Sequence, residues 1–384
     1  MGNRVGIIGV GQTHHAAKRL DASGTELISE AVSRALDDAE ITLDQIDAIV
    51  VGNMDHFENV NYVDMWATDG LGACMKPVFK VTTGGTTGTT LGACGYYHTG
   101  SGIFDTVLAV GWEKNSESDT QAAIATCANP VLERDPFAGA IGPLATEYSM
   151  YMSVYGATQE DAAIVAVRDR NNALNNPYAH NQMKVTVEDV MNSPMLSFPI
   201  KLLDICPRSD GACAVIFAAE EKAKALCPRP AWVHASVVRH DYTHFGDLEW
   251  QWMPTLERAS EAAYKLAGIT DPLNEFDVAE LYIPASTCGV KWMDSLWFCE
   301  RGGAPELIRK GTLEMDGQLP VNPSGGVIAT NPIGATGLIR VGEAAWQVMG
   351  KAGDHQVLDV NKALVTGFGG CSWSDVMILG ADLP

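Results

Sequence analysis

Two hydrophobic rhythms alternate along this chain, and they limit what it can fold into. Apolar runs of strand length recur at Val5–Val10, Ala48–Val51, Val107–Val110, Ala212–Ala218, Trp232–Val238, Val278–Leu281, Ala363–Thr366 and Val376–Leu379. Several are continuously apolar, as strands covered on both faces are. Stretches with helical spacing lie between them, at Gly24–Ala39, Gln159–Asn175, Leu256–Ala267 and Ile339–Val348. Such interleaving predicts a layered α/β architecture.

A length of 384 residues is enough for one large or two medium domains with buried cores. The prolines of Cys227-Pro-Arg-Pro-Ala231 mark a junction between two halves of similar pattern. The expected division is therefore 1–228 and 229–384. Residues 115–200 hold few long apolar runs and many Asn, Met and Tyr, which reads as an excursion over a functional site.

Charge excludes several functions. There are 47 carboxylates against 26 Lys and Arg, a net charge of -21, and no basic stripe of the kind a nucleic-acid binder needs. Anionic membrane surfaces are disfavoured on the same ground. No uncharged apolar run approaches the roughly 18 residues of a membrane span. The start runs directly into a strand pattern. The nine cysteines occur singly, without a CxxC pair, and the histidines lack ligand spacing. The expectations are a cytoplasmic protein with reduced thiols and no metal site. Gly6, Gly9 and Gly11 imitate a dinucleotide loop, but His14 stands where the third glycine belongs, so a strand is the better reading.

Ordered motifs carry a more specific message. They are Val81-Thr-Thr-Gly-Gly-Thr-Thr-Gly-Thr-Thr90, Gly111-Trp-Glu-Lys-Asn115, Ser209-Asp-Gly-Ala-Cys-Ala214, Asp277-Val-Ala-Glu-Leu-Tyr282, Val321-Asn-Pro-Ser-Gly-Gly326 with Asn331-Pro-Ile-Gly-Ala-Thr-Gly337, and Gly367-Phe-Gly-Gly-Cys371. Asp204-Ile-Cys-Pro207 precedes the third. The set spans nearly the whole chain and resembles the thiolase superfamily, in the branch of the sterol-carrier-protein-type and archaeal thiolases. The resemblance implies a thiolase fold, a five-layered αβαβα subunit of two similar halves, usually a homodimer. It also implies coenzyme A thioesters as substrates, with CoA as a substrate and no covalently bound cofactor.

The reactive positions depart from that family. Its nucleophilic cysteine, activated at a helix N-terminus, corresponds to Gly85. Its two histidines correspond to Tyr282 and Asn331, and its second cysteine to Gly367. The glycine frame persists around these replacements. Gly84, Gly85 and Thr86 would still open a helix whose N–H groups can receive a thioester oxygen, with Thr86 or Thr87 as its cap. Asn331 can donate to the same oxygen, and Tyr282 suits proton donation better than base chemistry. Glu113 and Glu280 read as structural.

Cys371, after Gly369 and Gly370 in the last glycine-rich loop, and Cys288 are the candidate substitute nucleophiles. His56 is a further candidate for the substrate site. Trp250, Trp252, Trp292 and Trp297 could wall a wide acyl pocket. Three functions remain open. The leading one is thiolytic retro-Claisen cleavage of a bulky 3-oxoacyl-CoA, resembling aromatic β-oxoacyl-CoA thiolases of the benzoylsuccinyl-CoA type. The others are a retro-aldol lyase on a 3-hydroxyacyl-CoA, resembling the thiolase-like subunits of steroid side-chain aldolases, and a catalytically silent subunit. The first two resemblances imply a separate small zinc-ribbon and OB-fold partner protein.

Overall fold

The computed structural model describes residues 3–55, 62–134, 139–241, 249–370 and 373–384. Its strands are β1 (Val5–Gln12), β2 (Ala48–Gly52), β3 (Val78–Lys80), β4 (Thr106–Lys114), β5 (Met195–Ser197), β6 (Ile200–Lys201), β7 (Asp210–Ala219), β8 (Ala231–His240), β9 (Val278–Glu280), β10 (Lys362–Phe368) and β11 (Trp373–Gly380). Nine of them form one sheet in the order β3-β2-β4-β7-β1-β8-β11-β10-β9, and β5 with β6 makes a separate ribbon.

The order repeats about a seam between β1 and β8, where Gly6 faces Trp232 and Ile7 faces Ala231. On one side, β7 is antiparallel to β1 and to β4, and β2 is parallel to β4. On the other, β11 is antiparallel to β8 and to β10, and β9 is parallel to β10. The proline-marked junction Cys227–Ala231 leads from the Glu220–Leu226 helix into β8.

All residues of β1, β2, β4 and β7 are buried, which explains the continuous apolar runs. The Gly24–Ala39 helix covers one outer face, its start fixed by a Ser23/Glu26 capping box. Gly9, part of the apparent dinucleotide motif, lies inside β1; a Cβ there would come within 2.6 Å of the Ala35 carbonyl. These glycines let strand and helix approach closely. The Pro254–Ala267 helix covers β8 and β11 in the same manner.

Between the two halves run the Thr87–Gly100 and Ile333–Met349 helices, packed on each other and on strands of both sides. This central layer completes the five-layered arrangement. Every residue of Ile333–Met349 is buried. The two helices meet glycine on glycine: a Cβ at Gly88 would sit 2.6 Å from the Gly337 nitrogen and nearer still to that of Leu338.

Residues 115–200 hold more ordered structure than an excursion of loops. The Ile141–Tyr155 and Gln159–Asn172 helices pack against the Ser286–Ser295 helix and share a core with β8–β11. A buried Glu147–Lys291 ion pair joins the first of them to that helix. No helix among the described residues is long and apolar enough to cross a membrane.

The crossing yields a stability prediction. Gly88→Ala should cost about 3 kcal/mol or more, because the added methyl meets backbone that cannot swing aside. The urea midpoint of unfolding measures it, and a midpoint within error of the wild type would refute the backbone contact.

Candidate active site

The crossing of the central helices brings their N-terminal turns together, and the residues singled out by sequence gather there. The Thr83–Thr86 segment leads into one helix and Asn331-Pro332 into the other. The cap expected from Thr86 or Thr87 does not form. Thr86 Oγ1 donates to the Thr83 carbonyl at 2.7 Å, and Thr87 Oγ1 donates to the Gly84 carbonyl at 2.7 Å. Both hydroxyls brace the preceding turn, where Gly84 has a φ of 61°. They are therefore not spent as acceptors for first-turn N–H groups, the groups a helix leaves without internal partners.

Position 85 lacks space as well as a thiol. A Cβ built on Gly85 would lie 2.5 Å from the Phe368 carbonyl oxygen, well inside van der Waals contact. Gly367, the family's second cysteine position, is closed in the same way: a Cβ there would overlap the Thr89 hydroxyl. Gly369 packs at the same place, its Cβ position 3.1 Å from Thr86 Cγ2, and Gly370 adopts a φ of 82°.

Asn331 is held at every polar atom of its backbone. Its N–H donates to Ser209 Oγ at 3.0 Å, and its carbonyl accepts from Asn115 Nδ2 at 2.9 Å and from Ser209 N–H at 3.3 Å. Its side chain is oriented too. Oδ1 accepts from Thr336 Oγ1 at 2.8 Å, while Nδ2 donates to Cys206 Sγ at 3.2 Å. An amide nitrogen carries two hydrogens, so one remains for a ligand oxygen.

Thr336 Oγ1 also lies 3.0 Å from the Pro332 carbonyl, and it stands close enough to the buried Tyr282 phenol to act on its ionisation. Burial pushes the Tyr282 phenol well above its ordinary range, with Cys206 adding to the effect and Thr336 opposing it. Tyr282 is thus a neutral hydroxyl at pH 7.

Cys206 arrives by a route that its sequence position conceals. An antiparallel bridge pairs Ile205 with Ala285, Cys206 N–H donates to the Pro284 carbonyl at 3.0 Å, and Ser286 Oγ donates to Asp204 Oδ1 at 2.6 Å. Burial pushes its thiol up to about 11, the Asn331 amide opposing. Cys127 is a second thiol that sequence reasoning passed over; its Sγ lies 4.0 Å from where a Gly84 Cβ would be, and the residue is exposed. Either contact depends on tertiary structure; Cys206 lies in the Asp204–Pro207 motif, but residue order alone does not bring it to Asn331.

The other candidates are dispersed. Cys288 is buried on the Ser286–Ser295 helix within the second core, where burial, then Glu147, drives its thiol far up. Cys371 and His56 lie outside the described residues. Among the tryptophans, Trp292 reaches the site through Phe368, ring centroids 4.9 Å apart, and Phe368 in turn faces Tyr282 at 6.3 Å. Trp252 carries the Arg301 guanidinium on its face and Trp297 is exposed. Among the described residues no cluster of His, Cys, Asp or Glu could hold a metal ion.

The carboxylates behind the site support it. Glu113 Oε2 accepts from Gly334 N–H at 3.0 Å and Met54 N–H at 2.8 Å, capping the Ile333–Met349 helix. Glu280 pairs with Arg340 and accepts from Ser324 Oγ at 2.8 Å. Arg340 neighbours Glu343, which contacts His355 at 2.8 Å. This fully buried network ties β9, and so Tyr282, to the helix that follows Asn331.

The site and fold together define a thiolase-type enzyme frame, and the chain belongs to the thiolase family. Residues 238–381 match the family described as thiolase C-terminal domain-like. Acetyl-CoA acetyltransferase of Methanothermobacter thermautotrophicus is 33% identical over 376 residues, 95% of this chain and 96% of that one. The benzoylsuccinyl-CoA thiolase subunit BbsB of Thauera aromatica is 28% identical over 274 residues, 70% of this chain and 71% of that one. Among solved structures, the Ltp2-ChsH2(DUF35) aldolase superposes with a TM-score of 0.86 at 28% identity, covering 99% of this chain and 98% of that one. Human mitochondrial 3-ketoacyl-CoA thiolase shares the fold, with a TM-score of 0.74 at 16% identity over 99% of each chain. These relatives support carbon–carbon chemistry on CoA thioesters.

One titration beneath the site is testable. Asp375 is buried under the Thr83–Thr90 segment and accepts from Thr89, Thr90 and Trp373 at 2.7 to 3.0 Å. Burial raises its carboxyl from 3.8 to about 6, so the native state holds the proton more tightly than the unfolded chain. Its stabilising contribution is full below pH 3.8 and is lost as pH rises through 6. Between those limits the wild type should lose up to about 3 kcal/mol that Asp375→Asn does not lose. Urea unfolding of both proteins across pH 4 to 7 measures this, and parallel curves would contradict it.

Proposed function

We propose that this protein is a retro-aldol lyase that cleaves a bulky 3-hydroxyacyl-CoA into a carbonyl compound and a shorter acyl-CoA without an acyl-enzyme. One observation carries the reading: both positions at which the family keeps a thiol are closed, Gly85 by the Phe368 carbonyl and Gly367 by the Thr89 hydroxyl. Retro-aldol cleavage needs a stabilised thioester enolate and proton transfer, and no covalent nucleophile. The second Asn331 Nδ2 hydrogen and the positive dipole end of the Thr87–Gly100 helix, which has no side-chain cap, suit the enolate oxygen. Tyr282, a neutral hydroxyl, receives the substrate hydroxyl proton as it passes its own onward. Trp292 and Phe368 supply an apolar wall beside it.

A second reading, thiolysis of a 3-oxoacyl-CoA, is favoured by Cys127, whose sulfur stands beside Gly84 and the helix N-terminus. Position 85 itself is closed to a thiol, which weighs against it.

Paired substrates separate the two. With 3-hydroxy-3-phenylpropanoyl-CoA, the expected products are benzaldehyde and acetyl-CoA, with no free CoA consumed. Asn331→Ala should lower that turnover about 100- to 1000-fold. Gly85→Cys should not create thiolysis, since the new side chain has no room. If 3-oxo-3-phenylpropanoyl-CoA and CoA instead yield benzoyl-CoA, and Cys127→Ala abolishes it, thiolysis stands and the lyase reading falls.

We further propose that the chain works as a homodimer joined to a separate small partner. The β3 edge pairs only with β2 and exposes Phe79 near exposed Met75. The similar Ltp2-ChsH2(DUF35) aldolase is named for two components, which supports a second chain here. Light scattering of the isolated protein should give twice 41.1 kDa. A monomeric mass, unchanged when Phe79 is replaced by Lys, would dismiss that edge as an interface.

A further inference from the structure

Breaking the carbon–carbon bond is half of the chemistry, because the enolate that leaves must still be protonated at Cα. The imidazole and carboxylates near the reacting region are engaged elsewhere: His180 Nδ1 contacts Ser209 Oγ at 2.9 Å, the hydroxyl that accepts from the Asn331 backbone N–H. Glu113 is occupied by the Met54 and Gly334 N–H groups, and Glu280 by Arg340 and Ser324. The histidine positions of the family carry Tyr282 and Asn331.

Cys206 occupies the remaining place. Its sulfur is 3.2 Å from Asn331 Nδ2, the nitrogen whose second hydrogen is available to the thioester oxygen. In an enolate, Cα is separated from that oxygen by a single carbon. A group in contact with the oxygen's donor is therefore within reach of Cα as well. The Cys206 backbone N–H donates to the Pro284 carbonyl at 3.0 Å, two residues beyond Tyr282. The two proton carriers thus flank the oxyanion donor, one suited to the hydroxyl end of the substrate and one to the Cα end. The residue is half-buried, so it is not sealed in the core as Cys213 and Cys288 are.

We infer that Cys206 is a further catalytic residue, the acid that delivers a proton to Cα of the thioester enolate and removes it in the reverse direction. The inference rests on the enolate chemistry proposed above. The proton balance closes without any other reactant. The Cα–Cβ bond breaks and its electron pair becomes the enolate, and the Cys206 S–H bond breaks as the new Cα–H bond forms. In the same relay the Tyr282 phenol proton moves to the Cys206 sulfur and the substrate hydroxyl proton moves to the Tyr282 oxygen, so both side chains end as they began. No net charge enters the site.

A thiol held at about 11 fits this role better than a nucleophilic one. Only roughly one molecule in ten thousand is thiolate at pH 7, so attack on a thioester is disfavoured. As an acid it is already in the required form. An enolate is far more basic than a thiolate, so the transfer runs downhill.

Exchange of α-hydrogens tests the step apart from bond cleavage. The full chain is incubated with acetyl-CoA in deuterium oxide, and deuterium in the acetyl group is followed by mass spectrometry. Cleavage of 3-hydroxy-3-phenylpropanoyl-CoA is measured in parallel. Wild type should exchange, and Cys206→Ala should exchange at least about 100-fold more slowly, the usual contribution of a positioned acid–base group. Cys206→Ser, which keeps a hydroxyl of similar size, should fold as wild type and recover only part of the rate. Thermal unfolding in the presence of CoA checks that each variant is folded and binds.

Wild-type exchange that persists undiminished in both folded variants overturns the assignment and leaves the lyase reading intact. Exchange that depends on Cys206, without cleavage of the hydroxyacyl substrate, supports the assignment while removing the lyase reading. Absence of exchange in the wild type overturns the assignment directly.

Discussion

The contact on which the rest depends is the crossing of two buried helices at Gly88 and Gly337. Backbone meets backbone there, which only residues without a Cβ allow. The consequence is chemical as well as structural. The crossing lies one residue into the Thr87–Gly100 helix and four residues into the Ile333–Met349 helix, so both N-termini converge. The positive ends of two helix dipoles are brought to one place, one closed by the Glu113 carboxylate and the Pro332 carbonyl, the other without a side-chain cap. A site for an oxyanion follows from packing before any side chain is considered.

Around that point neutral side chains are linked by hydrogen bonds, Thr336 to Asn331 and Asn331 to Cys206, with the Tyr282 phenol beside Thr336. The ionised groups stand one layer behind, in the Glu280–Arg340–Glu343–His355 network. Burial makes each charge costly alone, so these four are paired and further satisfied by Ser324, Gln12 and Asn176. The division is consistent: charge fixes the scaffold, and uncharged donors gather at the helix crossing. Tyr282 and Asn331 are neutral there, and Gly85 and Gly367 have no room for a Cβ.

Much of this was legible in the sequence, and the failures have physical causes. All eight apolar runs became strands, because each is long enough to cross a buried sheet. The short β3 escaped notice, having only three residues and partial exposure. The Gly24–Ala39 helix was readable to the residue through its capping box and amphipathic spacing. The Ile141–Tyr155 helix was hidden, since its polar and aromatic residues face a core built by the other half of the chain. The Thr86 and Thr87 hydroxyls were available as caps by composition, yet the Gly84 turn gave them nearer acceptors in the Thr83 and Gly84 carbonyls.

The sequence by itself determined the layered α/β fold and the family, because periodicity and motif order are one-dimensional properties. The order of motifs also pointed to Gly85, Tyr282, Asn331 and Gly367 as the positions to inspect. What surrounds them was decided only in three dimensions. Cys206 meets Asn331 across 125 residues, Cys127 meets Gly84 across a fold, and Cys288 is withdrawn into the core. The closure of position 85 depends on a carbonyl 283 residues away in sequence. Reactivity is set by distance, burial and the atoms left over after packing, and none of these is carried by residue order alone.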